Sequence, residues 1–237
     1  MTPHTHRLYY DFASFLAQYF EGKVQKISIH AGFTCPNRDG SKGTGGCTYC
    51  NNQTFNPEYC NPHLGIRRQL EDGIGFFARK YPTMRYLAYF QAYTNTYGEL
   101  ELLKAMYEEA LAVESVVGLV IGTRPDCMPD TLLDYLEQLS QRTFVMVEYG
   151  IESASDKTLL RINRGHDFAT AADAIRRTHE RGILVGGHLI LEIVEIFGFA
   201  AVVHQNDIRK AVALAGDRCM VVTGLGAQGD LLRTEEL

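Results

Sequence analysis

The sequence predicts an α/β fold of parallel strands covered by helices. Three observations carry this. Strand-like apolar runs alternate with amphipathic helical stretches along the chain. The strand runs are continuously apolar, the pattern of strands buried on both faces. Four strand ends then carry polar or metal-type residues: Cys35 to Cys50, Gln91 to Thr96, Thr123 to Asp126, and Glu148 to Ser153. Parallel α/β sheets and barrels place their chemistry at the carboxyl ends of strands, so all four segments are expected on one rim.

The elements follow in order. Leu8, Phe12, Phe15, Leu16, Tyr19 and Phe20 give a helix over 7–21 one apolar face, and Gly22 ends it. Val24 to Phe33 reads as the first strand. Residues 64–80 form an amphipathic helix through Leu70, Ile74 and Phe77, and Tyr86 to Phe90 a short buried strand. Glu99 to Val113 is a helix through Leu100, Leu103, Met106, Tyr107 and Ala110; Val116 to Ile121 is the third strand. Pro129 suits the first turn of a helix, and Leu132, Leu133, Leu136 and Leu139 point that helix inward. The fourth strand starts at Phe144. Ala169 to Arg181 is a helix stopped by Gly182, and Ile183 to Leu191 is the fifth strand. Beyond it, Asp207 to Ala215 reads as a helix and Cys219 to Thr223 as a strand.

The 237 residues, 46% hydrophobic and 22% charged, suffice for one sizeable domain with a full core. A net charge of −5 and a pI near 5.9 give no broad field for duplex binding, though a local groove for a folded RNA stays open. No apolar run reaches the roughly eighteen residues of a membrane span. The segment Met1 to Arg7 lacks an apolar signal core, so the expected location is cytoplasmic. Six cysteines without an export signal point to metal ligands or buried thiols rather than disulfides.

Three of those cysteines fall within the glycine-rich loop Cys35 to Cys50. Cys47 and Cys50 form a C-x2-C pair able to put two thiolates on one metal centre. Between them and Cys35 lie Gly40, Gly43, Gly45 and Gly46, which let backbone wrap a bulky anionic group and aim N–H groups at it. Three thiolates on a [4Fe–4S] cluster leave one iron open to a substrate or cofactor. Adding Cys60 makes a four-thiolate structural zinc site, and with it a non-catalytic binding module. Both readings stand on spacing alone. Cys127 and Cys219 lie in or beside apolar runs, as buried thiols do.

Longer stretches resemble a known family. Gly32-Phe33-Thr34-Cys35-Pro36-Asn37-Arg38-Asp39-Gly40 and Gly45-Gly46-Cys47-Thr48-Tyr49-Cys50 are similar to the cluster loop of the YhcC-type family of radical S-adenosylmethionine (SAM) proteins. The core of that family is similar to the Elongator catalytic subunit. The C-x11-C-x2-C spacing departs from the superfamily's usual C-x3-C-x2-C in the way this family does. Phe90 to Tyr97, Thr123 to Asp126, Gly150 to Ser153, Asn163 to His166 and Gly186 to Leu191 continue the resemblance, which covers about residues 7–191.

The resemblance implies a partial, open (β/α)6 TIM-like barrel whose last strands are uncertain. Residues 1–191 would form a radical SAM core and 192–237 a divergent carboxyl-terminal segment. It implies a [4Fe–4S] cluster on Cys35, Cys47 and Cys50, with the fourth iron chelating SAM. Tyr49 would pack near the adenine and Thr94 meet the methionine amino group. Glu152 and Arg164 would contact ribose and methionine carboxylate, the arginine fork suiting a carboxylate. His188 would face the nucleoside or the substrate. Arg124 and Asp126 would either cap the next helix or touch substrate. The implied activity is reductive SAM cleavage and hydrogen abstraction from a small molecule or an RNA, with a reductant such as flavodoxin or ferredoxin as partner.

From Glu192 the resemblance stops. Where the family continues Gly-Leu-Pro-Gly-Glu, this chain reads Glu192-Ile193-Val194-Glu195-Ile196-Phe197-Gly198-Phe199. The tail is expected to supply a makeshift sixth strand or to mark a truncated barrel that binds a cluster without turnover. Its Gly224-Leu225-Gly226-Ala227-Gln228-Gly229 matches G-x-G-x-x-G. A dinucleotide site needs a helix, a second strand and an acidic residue about twenty positions on. Only eight residues follow the match, so it reads as tail.

Overall fold

The protein is described by a computed structural model covering residues 11–51, 56–190, 219–223 and 230–232. Its elements are α1 (Phe12–Leu16), β1 (Val24–Ile29), α2 (Ile66–Ala78), β2 (Arg85–Phe90), α3 (Leu100–Leu111), β3 (Val116–Thr123), α4 (Asp130–Ser140), β4 (Phe144–Glu152), α5 (Asp156–Arg161), α6 (Phe168–Glu180), β5 (Leu184–Leu189), β6 (Cys219–Thr223) and β7 (Asp230–Leu232). They form one sheet in the order β1 to β7. The pairings from β1 through β6 are parallel; β7 returns antiparallel to β6. The sheet is open, with β1 and β7 at its edges. Among the described residues no helix is long and apolar enough to cross a membrane.

Strand parity sorts the side chains into two bodies. Ile27, Ile29, Tyr86, Ala88, Phe90, Leu119, Ile121, Val145, Val147 and Tyr149 point outward and pack under α2, α3, α4 and α6. The intervening residues line the concave face. Its lower part is apolar: Leu87, Val120, Met146 and Leu184 pack with Phe15 and Leu16 of α1, which plugs the bottom of the lumen. Further up, the same face carries Lys26, Tyr89, Glu148 and His188, so polarity rises toward the carboxyl ends of the strands.

Several boundaries differ from the sequence reading for local reasons. β1 stops at Ile29 rather than Phe33 because the fully buried Gln69 of α2 replaces the ladder. Its Oε1 accepts from His30 N (2.9 Å), and its Nε2 donates to the carbonyls of His30 (3.0 Å) and Leu64 (2.9 Å). Within the described residues, α1 begins after Asp11, whose carboxylate caps Ser14 N at 2.7 Å. α5 was not expected; Ser155 caps it. Asp126 does not cap α4. It lies in a 3₁₀ turn, Pro125–Cys127, and Pro129 at the N-cap of α4 makes no side-chain cap bond. The sheet continues past residue 191 through β6, while β7 went unread. The expected helix Asp207 to Ala215 and the Gly224 to Gly229 match lie outside the described residues.

Candidate cofactor site

The loop after β1 folds on its own backbone. Cys35 O accepts from Arg38 N (2.7 Å) and Asp39 N (3.1 Å), Pro36 O from Lys42 N (2.9 Å) and Gly43 N (3.1 Å), and Asn37 O from Gly46 N (2.8 Å). The segment between α5 and α6 then clamps it. Asn37 Nδ2 donates to the carbonyls of Asn163 (2.7 Å) and Arg164 (3.0 Å), and Asn163 Nδ2 donates to Gly46 O at 2.9 Å. Thr48 N donates to Ile162 O at 3.0 Å. The clamp requires glycine at 165, where φ is +77° and a Cβ would lie 2.4 Å from Asn37 Oδ1. This fixes Cys35, Cys47 and Cys50 against the ends of β3 and β4.

The other strand ends converge on the same loop. After β2, Tyr93 takes φ +64°, Thr94 N donates to Thr34 O (3.3 Å), and Thr94 is buried. Asn95 ties that turn to β3 through Phe90 O (3.0 Å) and Gly122 O (2.8 Å). After β3, the buried Arg124 makes a two-pronged pair with Asp126 (2.9 and 3.0 Å) and donates to Arg164 O at 2.8 Å. Asp126 is held down to about 2: burial would raise it, but the Arg124 guanidinium and the Lys42 ammonium outweigh that. β4 bulges between Gly150 and Glu152, and Glu152 takes φ +69°. The bulge turns the Glu152 carboxylate to face Arg164 Nη2 at 3.8 Å. Gly150 leaves room for this pair, since a Cβ there would lie 2.6 Å from Glu152 Oε1 and 2.7 Å from Arg164 Nη2. Tyr49 packs on Leu159 and Ile162 of the α5 region. Burial, and the nearby Glu152 carboxylate, push its phenol far above its ordinary value, so it stays protonated.

The donors around the thiols test whether these residues suit a thiolate-bound group. Arg164 Nη1 and Asn37 Nδ2 each donate to Cys47 Sγ at 3.6 Å, and Arg124 Nη1 to Cys35 Sγ at 3.9 Å. Arg38 Nη2 donates to Cys50 O at 3.0 Å. Cationic and amide donors aimed at sulfur favour its anionic, metal-bound form. Arg164 Nε is buried without a hydrogen-bond partner among the described residues, leaving a guanidinium donor for a further acceptor. Cys60 differs. Its Sγ donates to Asn56 Oδ1 at 3.7 Å, and burial pushes its thiol up to about 11. Among the described residues no three His, Cys, Asp or Glu gather closely enough to hold a single ion. Cys60 thus shares none of the donors that face Cys35 and Cys47.

Of the residues read from the sequence, the fold brings Cys35, Cys47, Cys50, Tyr49, Thr94, Glu152 and Arg164 to one rim. His188 lies opposite Gly150 in the β4–β5 register, and its Nε2 is 3.1 Å from Glu148 Oε2 rather than on the Arg164–Glu152 pair. Sequence reasoning missed Asn37, Arg38 and Asn163 as loop fasteners, and Lys26 as the partner of Glu148, which it read only as the start of a polar strand end.

The chain is also similar to known proteins. Residues 35–196 match the family model of the radical SAM superfamily. Protein YhcC of Escherichia coli strain K12 is 46% identical over 181 residues, 76% of this chain and 57% of that protein. YtqA of Bacillus subtilis strain 168 is 38% identical over 186 residues, 78% of this chain and 58% of that protein. The chain thus spans less than two thirds of the length of these relatives. Among solved structures, the archaeal Methanocaldococcus infernus Elp3 with an N-terminal deletion is similar in fold, with a TM-score of 0.50 and 17% identity over 71% of this chain and 38% of that chain.

Proposed function

This chain belongs to the radical SAM superfamily, and on that premise we propose that it is a radical SAM enzyme whose [4Fe–4S] cluster reductively cleaves SAM to a 5′-deoxyadenosyl radical that takes a hydrogen atom from a substrate. The observation that carries the reading is the donor set converging on Cys35 and Cys47, together with the spare Arg164 Nε beside them. Cys35, Cys47 and Cys50 would hold three irons, leaving the fourth for the amino and carboxylate groups of SAM. Arg164 suits the methionine carboxylate, because a guanidinium fork matches a carboxylate. Thr94 would meet the amino group, Glu152 the ribose and Tyr49 the adenine, each from a separate strand end. The apolar plug of Phe12, Phe15 and Leu16 closes the lumen from below and limits water at a reactive centre.

The substrate reading favours a small molecule over RNA, since a net charge of −5 supplies no field to attract a polyanion. A ferredoxin- or flavodoxin-type reductant would supply the electron. Anaerobic reconstitution with iron and sulfide, reduction, and addition of SAM should yield 5′-deoxyadenosine and methionine. A colourless protein carrying zinc would overturn the reading. A brown protein that makes no 5′-deoxyadenosine would support a cluster-binding protein without turnover.

A further inference from the structure

The concave face carries a second polar group, built from strand residues rather than from the cysteine loop. Lys26 of β1 and His188 of β5 reach the Glu148 carboxylate of β4 from two sides. The Glu148 side chain has no exposure, whereas that of His188 is 34% exposed. Lys26 Nζ also lies over the rings of Phe12 (4.2 Å) and Tyr89 (4.4 Å), which fixes the ammonium in place. Gly186 makes the space, since a Cβ there would sit 2.8 Å from Glu148 Cγ. The sequence thus gives up an apolar strand position at 148 and a side chain at 186 to build this group. Core packing alone does not ask for that.

We propose that His188 is the proton acceptor for the substrate, positioned by Glu148 and Lys26. This rests on the substrate entering the same lumen, as the radical SAM reading requires. Nε2 faces the carboxylate, so the tautomer with Nε2–H donating to Glu148 leaves the lone pair on Nδ1. Nδ1 makes no hydrogen bond among the described residues, and the ring is the accessible end of the group. A base oriented by a buried carboxylate is the usual arrangement for activating a weakly acidic O–H or N–H. In the step, the substrate X–H bond breaks heterolytically, the electron pair stays on X, and the proton bonds to Nδ1. The resulting imidazolium lies against Glu148, and no oxidant or further reactant is needed. The substrate class is therefore a small molecule carrying a hydroxyl or a protonated amine. The charge state supports this: burial would raise the Glu148 carboxyl, but Lys26 and His188 reverse that and hold it well below its ordinary value.

Two measurements on the full chain test the proposal, and neither needs turnover. Among the described side chains His188 faces Glu148, which in turn faces Lys26 and Tyr89. The His188 imidazole, assigned by its loss in His188→Gln, should show the Nε2–H tautomer in nitrogen-15 NMR spectra, and that preference should be lost in Glu148→Gln. A tautomer indifferent to the change would overturn the proposal. Diethyl pyrocarbonate, which acylates accessible neutral imidazole nitrogen, should modify His188 on the native protein, and protection of His188 would contradict an open Nδ1. If the wild type forms no 5′-deoxyadenosine, the radical SAM reading fails while both of these results still stand or fall by themselves.

Discussion

Around the cysteine loop, Arg124, Arg164 and Asn37 each direct one of their hydrogen bonds at sulfur, and Arg38 donates to the carbonyl of Cys50. Lower in the same lumen, Lys26 and His188 end theirs on a carboxylate that the chain itself supplies. In the lower group both donors end on one carboxylate. At the rim each guanidinium is divided between a carboxylate, Asp126 or Glu152, and a cysteine sulfur. Arg164 Nε has no hydrogen-bond partner among the described residues, so the rim keeps a donor over where the lower group does not.

Substitutions should separate the two regions, and the largest effect belongs to the rim. Cys47→Ser or Cys35→Ser should abolish iron binding after anaerobic reconstitution, read as iron and sulfide per chain, while Cys60→Ala keeps full iron. Loss of iron in Cys60→Ala would reopen the four-cysteine alternative. Arg164→Met leaves the buried Glu152 carboxylate without its cation, which should lower stability by about 3–5 kcal/mol in denaturant titrations. Gly165→Ala forces a Cβ against Asn37 in a left-handed backbone, with an expected loss of about 1–3 kcal/mol. The lower group should show a gentler signature, in acid. Glu148 in the folded protein sits below its ordinary value of 4.5, so its contribution is present above that pH and is lost as pH falls beneath it. Below pH 4.5 the wild type should therefore lose stability more steeply than Glu148→Gln. Parallel slopes would show that Glu148 is not held ionised by its neighbours.

The strand order and the rim were legible because parallel strands buried on both faces read as unbroken apolar runs, and because each run ended in an unusual polar segment. The cysteine loop was legible from spacing and glycine content. What holds the loop was not. Asn37 and Asn163 are distant in sequence, and only the turn of β4 into α5 brings them together. Gln69 looked like one polar residue on an amphipathic helix, yet it terminates β1 by taking over the hydrogen bonds of His30. Glu148 was read as part of a strand end. Its pairing with Lys26 depends on the register of β1 and β4 across a curved sheet, which no local pattern encodes.

The central claim is that three protein thiolates hold a cluster with one iron open to SAM. Electron paramagnetic resonance of the reduced, reconstituted protein tests it directly. The spectrum should change shape when SAM is added, in the wild type and in Cys60→Ala alike, because the fourth iron has no protein thiolate. A spectrum indifferent to SAM would contradict the claim.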